Sequence, residues 1–172
     1  MSASSSIRKA ETGWVWPVPG HHLINEHIQS SHQGDGQFAS ARKHGSHNGI
    51  DISGYLGASI VAAADGAVFN LLPNPSRDYG KVLAIRHHGD VFSVYSHLSE
   101  ILVTPGEAVK AGQRIALMGD TGNTPPNARF HLHFEVRVGS CLPVVSGGRV
   151  TSPWTYLTRP PALIIRRSGW RN

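Results

Sequence analysis

Apolar and polar positions alternate most cleanly near the end of the chain. Leu132, Phe134, Val136 and Val138 take one register, and His131, His133, Glu135 and Arg137 take the other. A period of two is that of a half-buried β-strand, so the first set faces a core. His131 and His133 then share the opposite face, with Cα atoms roughly 6.5–7 Å apart at strand rise. Glu135 falls on that face two residues on and is expected to be solvated.

The same reading extends back along the chain. Strands are expected over 59–64 and 67–72, joined by Asp65-Gly66, a dipeptide that favours a two-residue hairpin. Residues 73–78, with two prolines, read as a turn. A second hairpin, 81–86 with 91–96, reverses at His88-Gly89-Asp90. Short strands at 101–103, 108–109 and 114–118 follow, separated by Pro105-Gly106 and Lys110-Ala111-Gly112. A loop over 119–129 leads into the strand described first. Short strands at this spacing, with no helix–strand alternation and no internal repeat, predict a mostly β fold. The expected form is a single antiparallel domain, sandwich-like or barrel-like, with a groove for a site.

Upstream the signal weakens. Residues 1–13 are Ser-rich and polar and read as a disordered lead-in. Trp14 and Trp16 open the ordered domain, where Pro17 and Pro19 forbid a helix. A short helix fits 22–31 and a Gly/Ser/His loop fits 30–46, a length at which loops are often functional. The domain is placed over 14–160, with a basic tail over 161–172.

Composition narrows the classes. The chain has 172 residues, hydrophobic content of 40% and a formal charge of +5, ordinary for one globular domain drawn to anionic polymers. Its basic residues are scattered, without the stripe and interleaved aromatics of a nucleic-acid binder. No apolar run approaches the ~18 residues of a membrane helix, so no transmembrane segment is expected. The first residues lack the apolar core of a secretory signal peptide. Cys141 is the single cysteine, which removes the cysteine-ligated structural zinc folds and any internal disulfide.

The 11 histidines matter through their spacing. In His47-Asn48-Gly49-Ile50-Asp51, both end residues are ordinary zinc ligands. On a straight strand their Cα atoms would stand roughly 13 Å apart, and Gly49 permits the bend that brings them together. His97 lies in Val94-Tyr95-Ser96-His97-Leu98, where it is expected to end a strand and enter a loop. Two histidines and one carboxylate leave an open position on tetrahedral zinc, the arrangement of a catalytic site. Two further histidines nearby would serve proton transfer and transition-state stabilisation.

These three motifs, with Val61–Val68, Tyr79-Gly80, 103–113 and Gly119-Asp120-Thr121-Gly122, resemble the lysostaphin-type (LytM-like) zinc endopeptidases that cut peptidoglycan peptides. The resemblance spans Trp14 to Val138. It implies a β-sheet groove with one zinc ion per chain, held by His47, Asp51 and His133. His131 and His97 become the catalytic pair, with the choice of general base between them left open. The expected substrate is a stem or cross-bridge peptide of peptidoglycan, met in the periplasm or cell wall. Without a signal peptide, the reading extends to a phage lysin, an injected effector with an immunity or delivery partner, or a trimmed chain.

The sequence departs from that family in two places. Phe38 and Arg42 stand in a looser arrangement than the family's Phe-Gly-x-Arg, which weakens a substrate role for Arg42. Pro125 to Phe130 replaces a short Gly-Pro approach and is expected to form a bulkier groove wall. His21, His22, His27, His32, His44, His87 and His88 match no motif position and are expected at the surface, with His44 nearest the rim. Competing readings are a zinc amidase or carboxypeptidase on the same polymer, and a non-catalytic wall-binding or activator module of the same fold. A lipoyl-type carrier domain would need a lysine at the hairpin tip, where this chain has Asp65-Gly66.

Overall fold

A computed structural model describes residues 13–20, 36–42, 45–126, 129–141 and 148–157. The expectations for 22–31 and for the two chain ends lie outside the described residues, apart from Gly13. Among the described residues there are eleven strands: β1 Ala41–Arg42, β2 Gly45–Ser46, β3 Ile50–Ser53, β4 Ser59–Val61, β5 Gly66–Ser76, β6 Gly80–His87, β7 Val91–Ile101, β8 Ala108–Val109, β9 Arg114–Met118, β10 His131–Val138 and β11 Arg149–Thr151. A 3-10 turn at Pro153–Thr155 packs onto β10 and buries Pro153. β1 and β2 pair antiparallel inside the segment read as loop. The other nine strands make one antiparallel sheet, in the order β11-β10-β7-β6-β5-β8, with β3 on β10 and β9 joining β7 to β4. The mostly β, antiparallel expectation is met.

β10 is the strand on which the site is built. One edge pairs with β7, from His133 opposite Ser96 to Val138 opposite Val91. The other edge pairs with β3 along its first half and with β11 along its second. Leu132, Phe134 and Val136 enter the main core with Ile50, Ile52, Leu83, Ile85, Tyr95 and Trp14. Removing side chains of this size from water stabilises by roughly 1.5–3 kcal/mol each. The opposite face of the sheet carries a second, smaller apolar cluster of Val82, Ala84, Phe92, Val94 and Cys141. The polar row of β10 lies on that second face, and it is not solvated.

Several expectations give way to packing. Asp65-Gly66 is no hairpin turn: β4 pairs with β9, and β5 with β6 and β8. The buried stretch Ala62–Ala64 crosses the core instead of reversing, bonded through Ala62 to Gln113 and Gly112. The Asp65 carboxylate accepts from the Ala111 N–H at 2.8 Å and the Lys110 ammonium at 3.0 Å. Gly66 is needed because a Cβ there would lie 2.4 Å from the Arg86 carbonyl oxygen. The expected turn at 73–78 is shorter, since β5 continues to Ser76 through a register irregularity. His87 is buried rather than on the surface. Its Nδ1 meets the Asp65 carbonyl at 2.8 Å and its Nε2 meets Ser93 Oγ at 2.7 Å. His88 is exposed, while His21, His22, His27, His32 and His44 lie outside the described residues.

Candidate metal centre

The antiparallel pairing of β3 with β10 sets Asp51 directly opposite His133. Register alone therefore brings a carboxylate and an imidazole from distant parts of the sequence side by side. His47 is not on that strand; it precedes β3 and is held by the 36–40 segment. Its N–H donates to Ser40 O, its carbonyl accepts from Ala39 N–H, and its Nδ1–H donates to Gln37 O at 2.8 Å. That last bond leaves His47 Nε2 facing inward. Gly49 matters for a reason other than bending: a Cβ there would lie 2.4 Å from the Phe134 carbonyl oxygen. Only glycine lets the chain approach β10 closely enough for β3 to start in register.

Three ligand atoms converge. His133 Nδ1 lies 2.8 Å from Asp51 Oδ1 and 3.0 Å from His47 Nε2, and His47 Nε2 lies 3.2 Å from Asp51 Oδ1. All three residues are at most 7% exposed. Tetrahedral zinc with bonds of about 2.0–2.2 Å spaces its ligand atoms about 3.3–3.6 Å apart. A widening of a few tenths of an ångström would seat the ion, and the donor set suits it. The residues fit the group.

Without metal the cluster holds together as an ion pair. Burial disfavours the charge on His133, yet hydrogen bonds to Asp51 and Glu135 win and raise its pKa to about 9. Burial likewise opposes charge on Asp51, but the hydrogen bond from the His133 Nδ1–H, with the His47 ring adjoining, holds its pKa well below the usual carboxylate range. His133 thus donates from both ring nitrogens, Nδ1–H to Asp51 and Nε2–H to Glu135 at 2.9 Å. A metal entering here must displace the Nδ1 proton.

His131 and His97 stand beside this triad. His131 Nε2 is 3.9 Å from Asp51 Oδ1, and the His131 and His97 rings lie 4.7 Å apart between centroids. His97 does not end its strand, because β7 runs on to Ile101. Its φ is +62°, a left-handed value rare for a residue with a side chain. Nearby, the pairing of β7 with both β6 and β9 shifts register. Tyr95 and Leu98, three residues apart, both enter the main core, so strict alternation fails between them. The irregularity moves His97 off the core face and brings its ring to the other histidines, as bulges often re-aim a side chain.

The His97 Nδ1–H donates to Thr121 O at 2.8 Å. Burial, then the neighbouring His131 and His133, push its pKa down to about 3, so the ring is neutral with Nε2 free to accept. Glycines explain how Thr121 comes so near. A Cβ on Gly80 would lie 2.3 Å from Thr121 O, one on Gly119 2.5 Å from Ser99 N, and one on Gly122 2.3 Å from Gly80 N.

All five residues singled out in the sequence are brought together. Four other contributors were misread or unnoticed. Glu135 is fully buried rather than solvated, and its carboxylate binds His133 and Arg137. Arg137 is 2% exposed. The Tyr79 ring packs edge-on against His133 at 5.6 Å, and its hydroxyl meets Asn48 and Glu135. The carbonyl of Gln37 sets the tautomer of His47. For Glu135 and Arg137 the signal was their shared register with His133; Tyr79 stood only in the Tyr79-Gly80 stretch of the family resemblance, and for Gln37 there was none.

Comparison with known proteins gives the relatives of this fold. The murein hydrolase activator NlpD of Salmonella dublin is 37% identical over 156 residues, 91% of this chain and 34% of that protein. A lipoprotein NlpD/LppB homolog of Pseudomonas aeruginosa is 38% identical over 148 residues, 86% of this chain and 40% of its own length. The chain thus spans little more than a third of these curated relatives. Among solved structures, a zinc-containing peptidase from Vibrio cholerae is 34% identical with a TM-score of 0.53, over 74% of this chain and 41% of that one. The catalytic domain of lysostaphin from Staphylococcus simulans is 27% identical with a TM-score of 0.52, over 66% of this chain and 90% of that one. The pattern of peptidase family M23 matches residues 45–146. That match takes in every strand carrying a site side chain, from His47 through β10, and the chain belongs to peptidase family M23.

Proposed function

We propose that this chain is a zinc-dependent endopeptidase that hydrolyses amide bonds in the stem or cross-bridge peptides of bacterial peptidoglycan. The observation that carries the reading is the complete set: a buried His47–Asp51–His133 triad with two further imidazoles, His131 and His97, at its edge. A module kept only for binding has no need of two more buried histidines beside an intact ligand triad. One zinc ion, held by His47 Nε2, Asp51 and His133 Nδ1, would polarise the scissile carbonyl and lower the pKa of water from 15.7 towards ~7.

The remaining chemistry belongs to the chain. His97, neutral and with Nε2 bare, accepts a proton from the attacking water and, once protonated, can pass it on to the leaving amine. His131, at the start of β10, faces the same space and takes the complementary role. The His97 ring is held by its hydrogen bond to Thr121 O, and pairing with β3 sets the position of His131. The fold buries the triad, so attraction between ligands and ion is little screened by solvent.

A second reading has its own support. Curated relatives at 36–38% identity carry the name murein hydrolase activator or lipoprotein. In that reading the chain binds the wall or activates another hydrolase, and the site is a remnant. A zinc amidase or carboxypeptidase on the same polymer differs only in the bond cut. In every version the place of action is the periplasm or cell wall. Among the described residues no helix is long and apolar enough to cross a membrane.

Zinc-loaded protein incubated with purified sacculi should release peptide fragments, and a chelator should stop the release. Mass spectrometry of the fragments names the bond. His133→Ala should lose the metal, whereas His131→Ala should keep it and lose turnover. Intact sacculi from diverse bacteria after treatment with the zinc-loaded chain would favour the activator.

A further inference from the structure

We propose that Glu135 and Arg137 are positioning residues for the metal centre: Arg137 clamps the buried Glu135 carboxylate, which takes the Nε2–H of His133 and turns its Nδ1 toward His47 and Asp51. This rests on the reading that the His47–Asp51–His133 triad holds zinc.

The geometry is a chain along one strand face. His133 Nε2 lies 2.9 Å from Glu135 Oε1, and Glu135 Oε2 accepts from Arg137 Nε and Nη2, each at 2.7 Å. Residues 133, 135 and 137 alternate onto the same face of β10, so the rigid strand fixes their separations. Glu135 is 0% exposed and Arg137 2%. Tyr79 closes the arrangement, its ring against His133 and its hydroxyl at Glu135.

The surroundings make the pair hard to explain as filler. Across the β10–β7 ladder, Glu135 stands opposite Val94 and Arg137 opposite Phe92, both members of the second apolar cluster. Apolar side chains at 135 and 137 would continue that cluster. A buried ion pair is often no more stable than well-packed apolar residues of the same volume, and replacing it is neutral or stabilising in several proteins. Its presence here beside a ligand imidazole is accounted for by orientation. A histidine that donates its outer N–H to a carboxylate has its tautomer and ring angle fixed, and the ligating nitrogen becomes more basic. Both residues act through the His133 ring, Glu135 directly and Arg137 by way of Glu135.

The test replaces the pair while sparing the ligands. Glu135→Leu/Arg137→Met leaves no orphan charge and keeps the face apolar. Zinc affinity is read by competition with a chromogenic chelator, and folding by thermal unfolding of the metal-free protein. We expect an unchanged or higher unfolding temperature without metal and zinc binding weaker by about 10–100-fold. Glu135→Gln/Arg137→Met, which keeps an acceptor oxygen for Nε2–H, should fall between the variant and the parent. In zinc-loaded parent protein, long-range 1H–15N spectra should show His133 protonated on Nε2 with a hydrogen-bonded shift. That shift should be lost in the leucine variant.

Affinity within about twofold of the parent in both variants, or an unaltered His133 signal, would overturn the proposal while leaving the zinc reading intact. A parent chain that takes up no zinc would overturn both. If the leucine variant fails to fold, the glutamine variant carries the same criterion.

Discussion

The clearest test of how this fold makes its site concerns the backbone at His97. Its φ of +62° is a conformation glycine adopts freely and other residues do not. A left-handed L-residue costs about 1–2 kcal/mol. Alanine at 97 would keep that penalty and glycine would remove it. Against this, glycine loses more conformational freedom on folding, by about 0.5–1 kcal/mol relative to alanine. The two variants lose the same buried ring and the same hydrogen bond to Thr121 O. Their difference therefore isolates the backbone, and His97→Gly should be more stable than His97→Ala by roughly 0.5–1 kcal/mol. For a domain of this size that is an unfolding temperature higher by about 1–4 °C. The assay is thermal or urea unfolding of metal-free protein in chelator, run beside sacculus digestion, in which both variants should be inactive. If alanine is as stable as glycine or more so, the left-handed turn is not imposed by the fold, and strain has no part in bringing His97 to the site.

The remaining predictions follow from single features. Zinc must displace a proton from His133, whose pKa is about 9 in the metal-free protein, so apparent zinc affinity should rise about tenfold per pH unit below that value. An affinity flat between about pH 7 and pH 8.5 would contradict the ion-paired cluster. Gly49→Ala puts a Cβ 2.4 Å from the Phe134 carbonyl oxygen; it should cost about 1–3 kcal/mol in denaturant unfolding and weaken metal binding as Asp51 moves. Burial pushes the His87 pKa below its ordinary 6.5, so the unfolded chain takes up that proton more readily than the folded one. Stability contributed by neutral His87 is complete above about pH 6.5 and falls with acidification, by at most ~1.4 kcal/mol per pH unit. His87→Asn should flatten the fall of the urea midpoint on acidification below about pH 6.5.

The strands were legible where alternation is strict and neighbours are apolar. β6, β9 and β10 fall within a residue or two of the 81–86, 114–118 and 131–138 spans expected from pattern alone. The failure at Asp65-Gly66 is instructive because the dipeptide's two properties were both used, but separately. The aspartate side chain ties down the Lys110–Gly112 turn, and the missing Cβ of the glycine admits the Arg86 carbonyl. A hairpin signal records which residues tolerate a turn, and long-range packing decides whether a turn is made. β7 shows the same limit. Nothing local in Tyr95-Ser96-His97-Leu98 marks a left-handed residue, and strict alternation would have sent His97 into the core with Tyr95.

The site was legible as residue types and order, because ligand chemistry restricts a metal to a few side chains. Which of them share a face followed from period two; which face is buried did not. His131, His133, Glu135 and Arg137 alternate with apolar residues in the manner of a strand with one solvated side. Yet that side is covered, next to a second apolar cluster formed by β6, β7 and Cys141. Coverage depends on residues far away in sequence and on Tyr79, which no pattern around β10 can report. It also changes the chemistry. A solvated Glu135 would be one more surface charge, screened and worth little. A buried one, already committed to Arg137, can neither be left unpaired nor move, and the imidazole it holds is fixed with it. What the strand supplies beyond the spacing of two histidines is therefore a difference between them. His133 is locked from behind by Glu135, whereas His131 has no carboxylate two residues on along that face, since that position is His133 itself. The asymmetry is one of position on the strand, and it favours His133 as the ligand of the pair.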